Sequence, residues 1–172
     1  CLLITNSAAD NDSINMQRVA ASYLLSASKK AIFKSRFKMS DVTQSDFLVG
    51  LAAVDTTLLG ATGGDGVTDG IFFYKDDGVA TMSFSCQKDA TTGQNQATAI
   101  ATLANDTFVS VAWYYDGAGS VSYYVNDVKT GTIDASSTYF PDVILTDSIA
   151  FMNGEAVAKN MTVDYIFAAV ER

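Results

Sequence analysis

The sequence predicts an all-β protein, an antiparallel sandwich or jelly roll. Several segments alternate apolar and polar residues with a period of two, and turns rich in glycine, asparagine and aspartate separate them. The strongest segment covers residues 108–133, where Val109, Val111, Trp113 and Tyr115 alternate with the residues between them. An Asp-Gly-Ala-Gly turn and an Asn-Asp turn divide this segment into three antiparallel strands.

The rest of the chain adds strands in sequence order. Predicted strands cover residues 1–4, the region near Ile14, and residues 31–39, 46–54, 71–75, 79–88, 98–103, 143–145, 149–152 and 160–170. Residues 16–25 fit a short helix by composition, but the β-rich surroundings favour an extended segment. Gly50 indicates a bulge or a close backbone contact. In the last strand, Met161, Val163, Tyr165 and Phe167 are expected to share one face.

Length and composition favour one domain over residues 1–172. A chain of 172 residues with 48% hydrophobic and 17% charged residues buries roughly 70% of its unfolded surface. No apolar run approaches the roughly 20 residues of a membrane-spanning helix. The chain starts at Cys1 and not at a methionine. The interpretation that it is the C-terminal part of a longer or processed product therefore stays open.

The net charge and the residue types present argue against several classes of function. The net charge of −8 makes nucleic acid an unfavourable partner. There is no histidine, which excludes Ser-His-Asp and Cys-His nucleophile systems and histidine-ligated zinc. Cys1 and Cys86 are expected to be free thiols, although one disulfide between them stays open.

Two sets of side chains are candidate contacts. Residues 31–39 place Lys34, Arg36 and Lys38 on one strand face, either as a solvated face or as a basic strip that binds an acidic partner. Tyr114 and Tyr124 either fill the sandwich or form part of a sugar-binding platform or a protein interface.

The chain resembles the concanavalin-A-like (laminin-G-like) jelly-roll superfamily. The resemblance is carried by FVSVAWYYDG and GSVSYYVND, in the positions where that superfamily often has a tryptophan, an Asp-Gly turn and a Tyr-Val-Asn-Gly run. Asn-Asp stands here in place of Asn-Gly. The segments DFLVGL, DGIFFYKDDG and VDYIFAAVER make the chain similar to jelly-roll proteins of tailed-phage heads.

The resemblance also suggests two kinds of site to look for, the carboxyl pair of a glycosidase and a Ca²⁺ site. Glycosidases of the superfamily place two glutamates around an aspartate on one strand, whereas this chain has only Glu155 and Glu171, outside any such run. Lectins of the superfamily bind Ca²⁺ through aspartate and asparagine. Weak candidates for a Ca²⁺ site are Asp65, Asp69, Asp76 and Asp77, which ordinary turn chemistry also explains.

The resemblance implies a virion structural protein that is not an enzyme. In this interpretation the chain is a capsid decoration (cement) or head-fibre-type protein on the virion surface. It binds the major capsid protein or other virion proteins, and a homotrimer is expected. The exposed apolar strand Cys1-Leu2-Leu3-Ile4 would support strand addition. The alternative is a lectin-like module for host-cell glycans, for which binding is expected to quench Trp113.

Overall fold

The computed structural model describes residues 1–60, 66–90 and 95–172. Within these ranges the chain forms thirteen strands and no helix, in two antiparallel sheets that face each other. The six-stranded sheet has the order β1 (Leu2–Thr5), β13 (Asn160–Val170), β4 (Ala31–Met39), β9 (Val109–Tyr115), β10 (Ser120–Val125) and β11 (Val128–Asp134). The other sheet has the order β2 (Ser13–Gln17), β12 (Ile144–Asn153), β5 (Ser45–Ala52), β6 (Gly70–Lys75), β7 (Thr81–Gln87) and β8 (Asn95–Thr102), and β3 (Tyr23–Leu24) also pairs with β12. The predicted all-β sandwich is confirmed.

Aromatic side chains from both sheets fill the space between them. Phe37 of β4 packs on Phe47 of β5, with ring centroids 4.9 Å apart, and Phe84 of β7 packs on Tyr123 of β10 at 5.0 Å. Trp113 is fully buried and stacks on Phe33. Burying one such side chain contributes roughly 2–3 kcal/mol, so these contacts hold the sheets together.

The outer face of the seven-stranded sheet is covered by the chain itself. Leu58, Leu59 and Val67, from the segment between β5 and β6, pack on Leu48 and Phe72 of those strands. Strands β5 and β6 are therefore buried on both faces, which is why their sequences are nearly continuous apolar runs. No comparable cluster covers the six-stranded sheet among the described residues.

Three sequence-based predictions are corrected by the structure. The predicted strands 143–145 and 149–152 are parts of one strand, β12, which begins at Ile144, and β8 begins at Asn95 rather than at residue 98. The prediction of one shared face for Met161, Val163, Tyr165 and Phe167 is wrong, because the register shifts between Val163 and Tyr165. Met161 and Val163 are buried, whereas Tyr165 and Phe167 lie on the outer face, 39% and 51% exposed. Within residues 16–25 the regular segments are the end of β2 and the strand β3, so the extended interpretation favoured over a helix is confirmed there.

Candidate functional site on the six-stranded sheet

The outer face of the six-stranded sheet carries all five candidate contact residues from the sequence. Strands β4, β9 and β10 bury their odd-numbered residues, so Lys34, Arg36, Lys38, Tyr114 and Tyr124 point outward. Their neighbours on the sheet follow from the register. Tyr114 lies opposite Ile32 and Ser122, and Ala112 lies opposite Lys34 and Tyr124.

A shallow depression of about 350 Å³ lies among these side chains. Tyr114, Tyr124, Lys34 and Asp127 line it, and Ala112 is at its base. Alanine at this position leaves room between the two tyrosines, since Tyr124 pairs directly with Ala112. The depression thus combines two aromatic rings with one ammonium and one carboxylate group.

The hairpin turn between β10 and β11 positions the carboxylate. Asn126 and Asp127 both have positive φ, 50° and 63°, as a tight two-residue hairpin turn requires. The Asn126 side chain accepts a hydrogen bond from the Ser110 N–H at 3.0 Å, and Asn126 N–H donates to the Ser110 carbonyl at 2.7 Å. This anchoring places Asp127 Oδ1 3.6 Å from Lys34 Nζ.

Each cation of the predicted basic strip has an aspartate beside it. Lys34 is near Asp127, Lys38 Nζ lies 4.0 Å from Asp106, and the Arg36 guanidinium donates to Asp164 at 2.8 Å. Arg36 also lies over the Phe108 ring, 4.1 Å from its centroid. The strip is therefore a row of ion pairs rather than a surface of net positive charge.

The other aromatic residues of the central strands point inward. Trp113, Tyr115 and Tyr123 are buried in the core. The expectation that sugar binding quenches Trp113 stays a prediction; because its side chain is not exposed, any change in its fluorescence would be transmitted through neighbouring residues. Tyr114 and Tyr124 are the two members of this group available to a ligand.

The weak metal candidates do not come together. Asp69 precedes β6 and Asp76 and Asp77 follow it, so about 20 Å of strand separates them. Asp65 lies outside the described residues. Burial raises the pKa of Asp69, which disfavours its charged form. Among the described residues no group of three histidine, cysteine, aspartate or glutamate side chains is arranged to hold a metal ion.

The two glutamates are also far apart. Glu155 binds Lys159 Nζ just before β13, and Glu171, just after β13, accepts a hydrogen bond from the Lys30 N–H. The strand between them spans about 35 Å, whereas the carboxyl pair of a glycosidase lies within about 10 Å. These glutamates therefore do not form such a pair.

Sequence reasoning missed several residues of this face. Ile32 appeared only as part of a strand, and Asp127 only as a turn residue. Phe167 and Tyr165 were assigned to the opposite face, because nothing in the sequence marks the bulge at Asp164. In the structure, Phe167 lies opposite Lys34 and Tyr165 opposite Arg36, which adds two exposed aromatic rings to the face.

Comparison with known proteins gives structural matches only. No protein-family model matches the chain, and no curated protein sequence matches it. The structure is similar to an endo-β-1,4-glucuronan lyase from the fungus Trichoderma reesei, with a TM-score of 0.61, 12% identity and coverage of 98% of this chain and 79% of that one. It is also similar to an alginate lyase, with a TM-score of 0.64, 5% identity and coverage of 99% and 75%. A third match is the Emp47p carbohydrate recognition domain, with a TM-score of 0.63, 10% identity and coverage of 99% and 82%.

These matches show that the chain has a jelly-roll β-sandwich fold. They also correct the expectation that the chain is not an enzyme, because polysaccharide lyases and an endo-β-1,3(4)-glucanase share its fold. The phage interpretation receives no support from them. In the described part of the chain, no helix has the length and apolarity needed to cross a bilayer.

Proposed function

We propose that this protein binds a polysaccharide on the outer face of its six-stranded sheet. The observation that carries the proposal is the depression where Tyr114, Tyr124, Lys34 and Asp127 meet. Tyrosine rings provide flat apolar surfaces for the C–H face of a sugar ring. The ammonium group can donate to sugar oxygens, and the carboxylate can accept from sugar hydroxyls.

Two further observations support the proposal. In the opposite sheet, Leu58, Leu59 and Val67 cover the outer face of the central strands β5 and β6, so these strands are buried on both faces. The structural matches include a carbohydrate recognition domain and enzymes that act on polysaccharides. Aromatic side chains with a few convergent polar groups are the usual composition of a ligand site.

Binding to a panel of soluble polysaccharides, measured by affinity electrophoresis and calorimetry, tests the proposal. We expect Tyr114→Ala and Tyr124→Ala each to weaken binding about tenfold, the loss that corresponds to about 1.4 kcal/mol of aromatic contact. Tyr23→Ala is the matched control, because Tyr23 is partly buried beside the other sheet. Absence of binding to every polysaccharide, or equal binding by all three variants, would contradict the proposal.

The same incubations also measure cleavage. Reducing-end release detects hydrolysis, and ultraviolet absorbance of an unsaturated product detects elimination. Because the fold is shared with lyases and glucanases, both assays are performed on every polysaccharide that binds.

Capsid decoration is a second candidate function, favoured by one edge of the sheet. Strand β1 ends the six-stranded sheet, and its Leu2 and Leu3 are 40% and 63% exposed. An edge strand with exposed apolar residues can pair with a strand of a partner. A trimer bound to the major capsid protein would be detected by sedimentation and by saturable binding to undecorated shells. A monomer that does not bind shells at any salt concentration would contradict it.

A further inference from the structure

We infer, resting on the proposed function, that the ligand is an uncharged polysaccharide whose chain crosses the strands and occupies a depression on each side of Tyr114. The second depression, of about 340 Å³, is lined by Lys30, Ala169 and Glu171. Ile32 and Tyr114 line both depressions. The Tyr114 side chain therefore stands between two adjoining hollows on the same sheet face.

The two hollows lie on neighbouring cross-strand rows. The first hollow lies on the row of Tyr124, Ala112 and Lys34, and the second lies beside Tyr114, Ile32 and Ala169 of the next row. From β10 to β13 the two hollows together cross three strand spacings, about 14 Å, which is longer than a disaccharide. A ligand that fills both hollows must be an extended chain that runs across the strands, with one part on each side of the Tyr114 ring.

The charges on this face favour an uncharged chain. The first hollow contains one lysine and one acidic residue, Lys34 and Asp127, whereas the lining of the second is almost entirely apolar, and the Glu171 carboxylate accepts a hydrogen bond from the Lys30 N–H. Outside the hollows, Arg36 and Lys38 are paired with Asp164 and Asp106. The whole chain carries a net charge of −8.

A polymer with a carboxylate on every sugar would be repelled by the net negative charge of the whole molecule, and in the first hollow Asp127 offsets the attraction of Lys34. A neutral sugar is not repelled, its hydroxyls can donate to Asp127 and accept from Lys34, and its apolar C–H face suits the apolar second hollow.

Chain length and charge are tested together by calorimetry. The probes are neutral gluco-oligosaccharides from disaccharide to hexasaccharide and oligouronates of the same lengths. We expect the affinity for neutral chains to rise at least tenfold between disaccharide and hexasaccharide, with little change between low and high salt. Oligouronates should bind at least tenfold more weakly than neutral chains of equal length.

One substitution separates the two hollows. Ala169→Leu fills the second hollow. Ala169 lies on β13 opposite Ile32, so strand β4 separates it from Tyr114 and Tyr124. Ala169→Leu should remove the gain in affinity of the hexasaccharide over the disaccharide. Ala169→Ser, which keeps the space open, and Ala20→Leu, on an exposed loop, are the matched controls. Near-ultraviolet circular dichroism verifies that each variant is folded.

The outcomes are distinct. Equal affinity for short and long neutral chains, or an Ala169→Leu variant that behaves like Ala20→Leu, overturns the two-hollow site. Tighter binding of oligouronates, weakened by salt and by Lys34→Met, overturns the uncharged ligand. Either result leaves polysaccharide binding itself standing. Absence of binding by any chain, neutral or acidic, contradicts the proposed function.

Discussion

At the scale of single residues, Asp46 illustrates how burial sets the pH dependence of stability. Its carboxylate is 3% exposed, and burial raises its pKa to about 6, although the Asp77 N–H donates to it. The folded protein thus holds this proton more tightly than the unfolded chain, whose pKa is about 3.8. The contribution of Asp46 to stability is therefore highest below about pH 4, and it is lost as pH rises to about 6.

We expect Asp46→Asn to remove this loss. Relative to wild type, the variant should gain up to about 3 kcal/mol in unfolding free energy between pH 4 and pH 7, because the shift of the Asp46 pKa from 3.8 to about 6 is then no longer a cost. Urea denaturation at both pH values measures the difference. Asp10→Asn, in an exposed turn, is the control. An equal change for the two variants would show that Asp46 is solvated in the folded protein.

Gly50 is a residue whose absent side chain matters. A Cβ at this position would lie 2.5 Å from the Ile71 carbonyl oxygen and from Phe72 Cα, because β5 and β6 approach closely there. Gly50→Ala should lower the unfolding free energy by roughly 3 kcal/mol, as overpacking does. Gly78→Ala is the matched control, with open space around it and only the cost of its positive φ, roughly 1 kcal/mol. Similar losses for both variants in urea denaturation would contradict the close contact predicted from the sequence.

At the scale of the element, strand β4 has one face that packs in the core and one that points outward. Phe37 is fully buried, whereas Arg36, the preceding residue, is partly exposed and makes an ion pair with Asp164. Phe37→Ala should cost about 4 kcal/mol through the cavity that it leaves. Arg36→Ala should cost less than about 1 kcal/mol, because water screens exposed ion pairs. Comparable losses, measured by urea denaturation, would mean that the outer ion-pair row holds the sheet together.

Strands β4 and β13 show how far the sequence predicts the site. In β4, strict alternation predicted the bounds and both faces, and with them the positions of Lys34, Arg36 and Lys38. In β13 the same alternation wrongly placed Tyr165 and Phe167 on the same face as Met161 and Val163. The extra residue is Asp164, whose carboxylate binds Arg36 of β4, while the Ser35 hydroxyl donates to the Tyr165 carbonyl. These partners are more than 120 residues away in sequence, so no local pattern could indicate the bulge.

At the scale of the whole molecule, the two sheets have unlike outer faces. The central strands of the seven-stranded sheet are covered by Leu58, Leu59 and Val67, which lie outside every strand predicted from the sequence. Loop packing on a distant face is a tertiary contact without a period, so alternation could not predict it. The central strands of the six-stranded sheet carry no such cover among the described residues, and Tyr114 and Tyr124, which the sequence left between the core and the surface, lie on their outer face.

The rates at which the two cysteines react with a thiol reagent show whether the two sheets separate in one cooperative step. Both are free, as preferred from the sequence, with Cys1 exposed and Cys86 buried between the sheets. Burial raises the pKa of the Cys86 thiol to about 12, so the folded state contains almost no reactive thiolate at this position. We expect a thiol reagent at neutral pH to label Cys1 at once and Cys86 only through unfolding. The slow rate should rise with urea along the global unfolding curve.

A Cys1→Ser variant isolates the slow phase, since it leaves Cys86 as the remaining thiol. Because Cys86 lies on β7 and packs between the sheets, a reagent reaches it only when the sandwich opens there. Agreement between the labelling free energy and the urea value would establish that the sheets separate cooperatively. Fast labelling of Cys86 in native buffer would instead show that β7 opens locally, and the sandwich would then be held together mainly by β4, β9 and the strands facing them.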